Sequence, residues 1–282
     1  VRNYLIVLFV FIGIAFASCS KKDSTNGGNL PLDLSAKTLP DVSYGSSNQQ
    51  KMDIYLPADR SVTSTKVLVL IHGGAWAEGD KGDFNIYIDT LKKRLPGWAI
   101  ININYRLYNL INNRFPTQEN DVKSAVNFIY NNRSYYTISE KWVLLGASAG
   151  GHLAMLQGYK NNSVIKPKAV INYFGPSDLN KLENEETDSG LRLGMQMLFN
   201  GKETESSPIN FINAQTPPTL TLQGLSDNTV PPSQQQVLHA KLNAFGVSNR
   251  LELYPNEGHG FSETTMSKTF DLVTQFLATY VP

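Results

Sequence analysis

Two kinds of apolar pattern alternate along most of the chain. Strand-like segments recur: VLVLIH at 67–72, a continuous apolar run rich in Val, Leu and Ile, then WAIININY at 98–105, KWVLLGA at 141–147, KAVINYF at 168–174, PTLTLQG at 218–224 and RLELYP at 250–255. Runs of this kind fit strands buried on both faces. KMDIYL at 51–56 alternates apolar and polar residues with period two and also reads as a strand. Between the runs lie stretches with helical spacing, at about 83–95, at 117–132, directly after Ser148, at 232–246 and at 261–281. The 117–132 stretch sets Val122, Ala125, Val126 and Ile129 on one face. The 232–246 stretch carries Val237, Leu238, Leu242 and Phe245 and stops on Gly246. Strand–helix alternation predicts an α/β fold, a mostly parallel sheet covered on both faces. One interval breaks the rhythm. Residues 176–216 show no strand pattern and are too many for a plain loop in a compact domain. They read as a cap or lid inserted over the site. The folded domain is expected over 36–282.

The N-terminal end has a different pattern. Behind Arg2, the segment from Leu5 to Ala17 carries no charge and ends in small residues before Cys19. It is shorter than the ~20 apolar residues of a spanning helix. A basic start, a short apolar stretch and small residues at its end describe a secretory signal peptide. Residues 20–35, SKKDSTNGGNLPLDLS, are polar with a Gly-Gly pair and read as a flexible tether. The segment FASC, followed by SKKDSTNGGN, resembles a bacterial lipoprotein signal over residues 1–19. That resemblance implies lipidation of Cys19 and anchoring in the cell envelope.

Composition narrows the chemistry. Of the 282 residues, 41% are hydrophobic and 17% charged, enough to build a core. With 25 Lys plus Arg against 24 Asp plus Glu, there is no basic field to draw nucleic acid. Cys19 is the single cysteine, which excludes an intramolecular disulfide, a CxxC redox pair and a cysteine-based zinc site. Four histidines are too few for a His-rich metal cluster but sufficient for catalysis. Neither metal nor cofactor is expected.

Gly146-Ala147-Ser148-Ala149-Gly150 matches G-x-S-x-G and sits between a strand-like run and a helix-like segment. A sharp strand-to-helix turn needs small neighbours around an exposed serine, and it presents that serine at a helix N-terminus. His72-Gly73-Gly74-Ala75-Trp76 closes an earlier strand, and its glycines let the backbone approach a substrate oxygen closely. Amides there, with that of Ala149, are candidates for an oxyanion hole. The residues leave open which of Gly73, Gly74 or Ala75 supplies the amide. His72 itself reads as a structural brace, and Trp76 as pocket wall or core. Asp227, in GLSDNTVP after the 218–224 run, is the candidate acid; Asp178, in GPSDL, is its rival. His259, in EGHGF, lies between two glycines past the last run. His152 and His239 fall on helical stretches and read as structural. The order Ser148, Asp227, His259 puts each group just past a strand's C-terminal end, where α/β sheets build sites. A histidine can take the serine proton while a carboxylate steadies the imidazolium. Tyr173, Phe174, Phe199 and Phe211, in or beside the 176–216 interval, read as core in preference to pocket lining.

Together HGGAW, GASAG, GLSDNTVP and EGHGF resemble the α/β-hydrolase superfamily over roughly residues 45–282. The likeness is to small bacterial carboxylesterases of the feruloyl- and acetyl-esterase type. HGG-x-W also resembles kynurenine formamidases and the peptidases related to prolyl oligopeptidases. The resemblance implies Ser148 as nucleophile, His259 as base, Asp227 as acid, and Gly73, Gly74 and Ala149 as oxyanion donors. It implies a carboxylic-ester hydrolase acting on a small-molecule or polysaccharide-linked ester. An amide hydrolase and a non-catalytic binding protein are the alternatives.

Overall fold

The computed structural model of the chain describes residues 33–160, 163–186 and 188–282. The signal-peptide segment and Cys19 lie outside the described residues, as does most of the tether. Leu34 and Ser35, at the tether's end, are already held. The Leu34 carbonyl accepts from the Asp59 amide at 3.0 Å, and the Ser35 carbonyl from Arg60 Nη1 at 2.6 Å.

In chain order the elements are β1 (Lys37–Ser43), β2 (Lys51–Leu56), β3 (Val67–Ile71), α1 (Asn85–Arg94), β4 (Ala99–Ile103), α2 (Thr117–Asn131), α3 (Arg133–Tyr136), β5 (Trp142–Ala147), α4 (Ala149–Tyr159) and β6 (Ala169–Tyr173). They continue with α5 (Leu179–Glu185), α6 (Ser189–Phe199), α7 (Glu203–Ser206), β7 (Thr219–Gly224), α8 (Ser233–Ala244), β8 (Asn249–Tyr254) and α9 (Glu263–Tyr280). Among the described residues the strands form one eight-stranded sheet in the order β1-β2-β4-β3-β5-β6-β7-β8. β1 and β2 are antiparallel, as are β2 and β4; every pairing from β4–β3 to β7–β8 is parallel. The mostly parallel, doubly covered sheet is the one that the alternation of patterns predicts, and the whole is the α/β-hydrolase fold that the motif resemblance implies.

The continuous apolar runs are explained by two cores, one on each face. Along β3, Val67, Val69 and Ile71 face a cluster with α2, α4 and α8, while Leu68 and Leu70 face a cluster with α1 and α9. Successive strand side chains point to opposite faces, so a strand covered on both needs apolar residues at every position. Each fully buried Leu or Val contributes about 1.5–3 kcal/mol. The central parallel strands are therefore fixed in place, and their C-terminal ends form a stable rim.

Three elements differ from the sequence expectation. β1 has mostly exposed side chains and a register shift between Leu39 and Val42, so it carries no apolar signature. The helix expected at 83–95 is a 3-10 turn at Lys81–Phe84, capped by Asp80, followed by α1. The 176–216 interval holds α5, α6 and α7 and a 3-10 turn at Pro208–Phe211.

Candidate active site

The hydroxyl of Ser148 stands at the turn from β5 into α4. Its backbone has φ 54° and ψ −122°, a strained conformation for a residue with a side chain. The Ser148 amide donates to the Tyr173 carbonyl at 2.8 Å, and the Ser148 carbonyl accepts from the His152 amide at 3.0 Å. The small neighbours are required by contact. A Cβ on Gly146 would lie 2.1 Å from the Gly150 carbonyl oxygen, and one on Gly150 only 1.9 Å from that of Ile71. Three backbone segments therefore meet beneath the serine.

His259 follows β8, and Asp227 follows β7. His259 Nε2 is 2.8 Å from Ser148 Oγ, and His259 Nδ1 is 2.8 Å from Asp227 Oδ2. An ionised carboxylate only accepts, so Nδ1 carries the proton and Nε2 accepts from the serine hydroxyl. Gly260, at φ +137°, turns the loop directly after His259 in a conformation that favours glycine. The Phe174 ring packs 4.9 Å from the imidazole.

Asp227 is 2% exposed, and its remaining lone pairs are taken. Oδ1 accepts from the amides of Thr229 (2.9 Å) and Val230 (2.8 Å), and Oδ2 also accepts from Gln223 Nε2 at 3.0 Å. Gln223 is a positioning contact that sequence reasoning did not identify. Its signal is weak: PTLTLQG also carries Thr219 and Thr221, so one more polar residue in the strand does not stand out. The rival Asp178 spends its carboxylate on the N-cap of α5, accepting from the Lys181 amide at 3.0 Å.

The loop after β3 faces the serine from the other side. His72 stacks on Tyr105 with ring centroids 4.3 Å apart, and its Nδ1 lies 2.8 Å from the Gly73 carbonyl. Burial lowers the His72 pKa, outweighing that hydrogen bond, so the ring is neutral and Nδ1–H donates. The Tyr105 hydroxyl donates to the carbonyls of His72 (3.1 Å) and Gly73 (3.2 Å). The Gly73 carbonyl is thus held by two donors. A trans peptide sets N–H opposite C=O, so the Gly74 amide points the other way. Gly74 and Ala75 line the cavity that contains Ser148. No group among the described residues takes their amides. Gly73 lies against a second, smaller cavity of about 270 Å³, with Ala147, Phe84, Tyr87, Phe174 and Phe261.

Gly74, Ala75 and Trp76 have φ values of +100°, +48° and +61°. A left-handed non-glycine residue costs roughly 1–2 kcal/mol, so this run persists only where its surroundings hold it. The Trp76 carbonyl accepts from the Tyr108 amide at 2.9 Å, and the Gly74 carbonyl from the amides of Ala77 and Glu78. Trp76 is both things the sequence suggested: it lines the cavity and is 5% exposed.

The Ser148 cavity measures about 390 Å³. Its wall is mainly apolar, from Trp76, Tyr108, Leu182, Met195 and Leu198, with Glu78 and Glu186 as its carboxylates. Leu182, Met195 and Leu198 come from the 176–216 interval. Tyr173, Phe174 and Phe199 are buried in the core, and Phe211 packs against it. His239 is buried and bonded to Asn249 Oδ1 at 2.6 Å, away from the site. Among the described residues no group of three or more His, Cys, Asp or Glu could hold a metal ion. No described helix is long and apolar enough to cross a membrane.

Comparison with known proteins agrees with this architecture. The BD-FAE family pattern matches residues 52–242. Esterase LipC of Mycobacterium tuberculosis is 27% identical over 78% of this chain and 59% of its own length. Dipeptidyl aminopeptidase BIII of Pseudoxanthomonas mexicana is 27% identical over 86% of this chain and 35% of its own. The chain therefore spans less than two thirds of either relative. A solved truncated carbohydrate esterase from gut microbiota superposes with a TM-score of 0.69 at 24% identity, covering 86% of this chain and 98% of that one.

Proposed function

The chain belongs to the BD-FAE family, and from that membership and the site's geometry we propose that it hydrolyses carboxylic esters through Ser148, His259 and Asp227. The observation that carries the reading is the unbroken line of two 2.8 Å hydrogen bonds from Ser148 Oγ through His259 to a buried carboxylate, at the edge of an apolar cavity. Ser148 Oγ attacks the ester carbonyl carbon while its proton passes to His259 Nε2. Asp227 stabilises the resulting imidazolium. The carbonyl oxygen takes up negative charge, facing the amides of Gly74, Ala75 and Ala149. When the C–O bond breaks, His259 returns the proton to the departing alkoxide oxygen, leaving Ser148 acylated. Water then attacks the acyl carbon, giving its proton to His259; the acid departs and Ser148 is reprotonated.

The apolar cavity suits the acyl half of the substrate, with the 176–216 interval acting as the cap that shapes it. The likeness to a carbohydrate esterase supports a sugar- or polysaccharide-linked acyl group as substrate. The reading requires no metal or cofactor. Cys19 is proposed as the lipidated residue of an envelope-anchored protein, with residues 20–35 as its spacer; mass spectrometry of the membrane-extracted protein reads this directly.

The test is hydrolysis of p-nitrophenyl acetate through octanoate by the full chain, with Ser148→Ala beside it. The expected result is loss of roughly a millionfold in kcat on removing the nucleophile. Equal activity in the variant would overturn the mechanism. A second reading, amide hydrolysis by the same groups, is favoured by the likeness to an aminopeptidase over 86% of the chain. Turnover of dipeptidyl anilides exceeding that of acyl esters would select it.

A further inference from the structure

His152 lies one turn past the serine, on α4, and touches none of the reacting groups. Its ring is fully buried, and both nitrogens are engaged. The Trp76 indole N–H approaches Nδ1 at 3.2 Å, and Nε2 lies 2.7 Å from the Ser206 carbonyl. An indole nitrogen only donates and a carbonyl only accepts. The ring is therefore a neutral imidazole with its proton on Nε2, accepting from Trp76 and donating to Ser206. Burial supports this state, lowering the pKa from its ordinary value to about 3.

These two bonds join two functional segments. Trp76 ends the left-handed run Gly74–Trp76, which lines the same cavity as Ser148. Among the described residues the indole N–H is the one side-chain group of that run with a hydrogen bond. Ser206 closes α7 in the cap interval. Phe199, also from the cap, meets the Trp76 ring edge-on at 5.0 Å and 83°, and its neighbour Leu198 lines the cavity. The imidazole thus sits where the oxyanion loop and the cap converge.

We propose that His152 is a positioning residue: by fixing the Trp76 indole it holds the Gly74 and Ala75 amides toward the developing oxyanion, and by bonding Ser206 it ties that loop to the cap. The proposal rests on the serine-hydrolase reading above. An oxyanion donor acts on the transition state more than on the bound ester. Loss of the clamp therefore lowers kcat and leaves KM nearly unchanged.

The two bonds can be separated by substitution. The amide oxygen of asparagine falls near the position of Nδ1 and can accept from Trp76. The amide nitrogen of glutamine falls near Nε2 and can donate to Ser206. His152→Phe removes both. The experiment measures kcat and KM for p-nitrophenyl butyrate with the full chain. It also measures the affinity of an alkylboronic acid, whose tetrahedral adduct with Ser148 puts an oxygen at the oxyanion position. His152→Phe is expected to lose about ten- to hundredfold in kcat and in boronate affinity together, with KM within about twofold. His152→Asn should recover most of the loss and His152→Gln should not. If a His152 variant fails to fold, Trp76→Phe breaks the same bond from the other end and should show the same parallel loss in kcat and boronate affinity.

The proposal is overturned if kcat and boronate affinity stay at wild-type values, if Asn and Gln rescue equally, or if only KM and thermal stability move. A wild-type chain that neither hydrolyses the ester nor labels with a fluorophosphonate would remove the serine-hydrolase reading and this proposal with it. An active wild type beside an unaffected His152→Phe removes the proposal alone.

Discussion

His152 makes the stability of the protein sensitive to acid in a way that can be isolated. In the folded chain its pKa is lowered to about 3 by burial. Protonating Nδ1 would set a second donor against the Trp76 indole N–H and leave a charge inside the core. In the unfolded chain the same imidazole titrates near its ordinary value of about 6.5. Between these two values the unfolded state holds a proton that the folded state refuses, so stability rises with pH across that window. The contribution is complete above pH ~6.5 and is lost as the pH falls below it, at about 1.4 kcal/mol per unit. At pH ~4.5 the loss attributable to this one ring is roughly 2–3 kcal/mol. His72 and His239 also have lowered pKa values through burial. They add to the total slope, so the measurement must be a difference. Urea unfolding of wild type and His152→Asn, from pH 7.5 to 4.5, supplies it. The remaining groups are common to both chains and cancel. Asparagine does not titrate, so its curve should be flatter by about one proton's worth. Parallel curves would refute both the neutral buried ring and the tautomer deduced from its two partners.

Asp227→Asn should keep the fold and lose about 10⁴-fold in kcat. The amide must still accept from the Thr229 and Val230 amides, so its nitrogen turns to His259 and reverses the tautomer; esterase assays with a thermal-melt control read this. Tyr105→Phe removes the hydroxyl that donates to the His72 and Gly73 carbonyls. It should cost about 1–2 kcal/mol in urea unfolding and lower kcat more than it changes KM. Gly150→Ala would set a Cβ 1.9 Å from the Ile71 carbonyl oxygen, against backbone that cannot yield cheaply. Loss of more than ~4 kcal/mol is expected, seen as failure to accumulate folded protein or a large fall in melting temperature.

How much of the fold could be read depended on where each segment sits. The strands β3 to β7 are covered on both faces, so burial favours apolar residues at successive positions, and the runs at 67–72 and 141–147 stand out most, while β4, β6 and β7 also bury Asn102, Asn172 and Thr221. β1 is an edge strand whose ladder shifts register between Leu39 and Val42, and exposure leaves it free to carry Lys37, Thr38 and Asp41. No periodicity remains for a reader to find. The interval 176–216 was legible as an interruption but not as helices. α5 and α7 are too short to show a repeat; α6 sets Leu191, Met195 and Leu198 at i, i+4 and i+7 along the cavity wall, a helical spacing that the sequence reading passed over.

The candidate site divides along the same line between local and distant causes. The serine turn is a local crowding problem: three backbones meet within van der Waals distance, and only Gly146 and Gly150 satisfy it, so the motif is written in adjacent residues. The acid is different. Asp178 and Asp227 both follow strands and both sit in turn-forming sequences. A carboxylate there can cap a helix or brace an imidazole, and the neighbouring residues are compatible with either. What separates them is the end of the sheet at which His259 arrives. β8 pairs with β7 rather than β6, so the loop after β8 passes over the end of β7, where Asp227 stands, while Asp178 is spent on the first turn of α5. Gln223 and His152 are hidden for the same reason. His152 acquires its meaning from Trp76 and Ser206, which lie 76 and 54 residues away in sequence. Their convergence follows from strand order and from a cap that no repeat announces. The candidate catalytic residues could be named from short motifs, but the contacts that hold them in place are assigned only once the sheet is assembled.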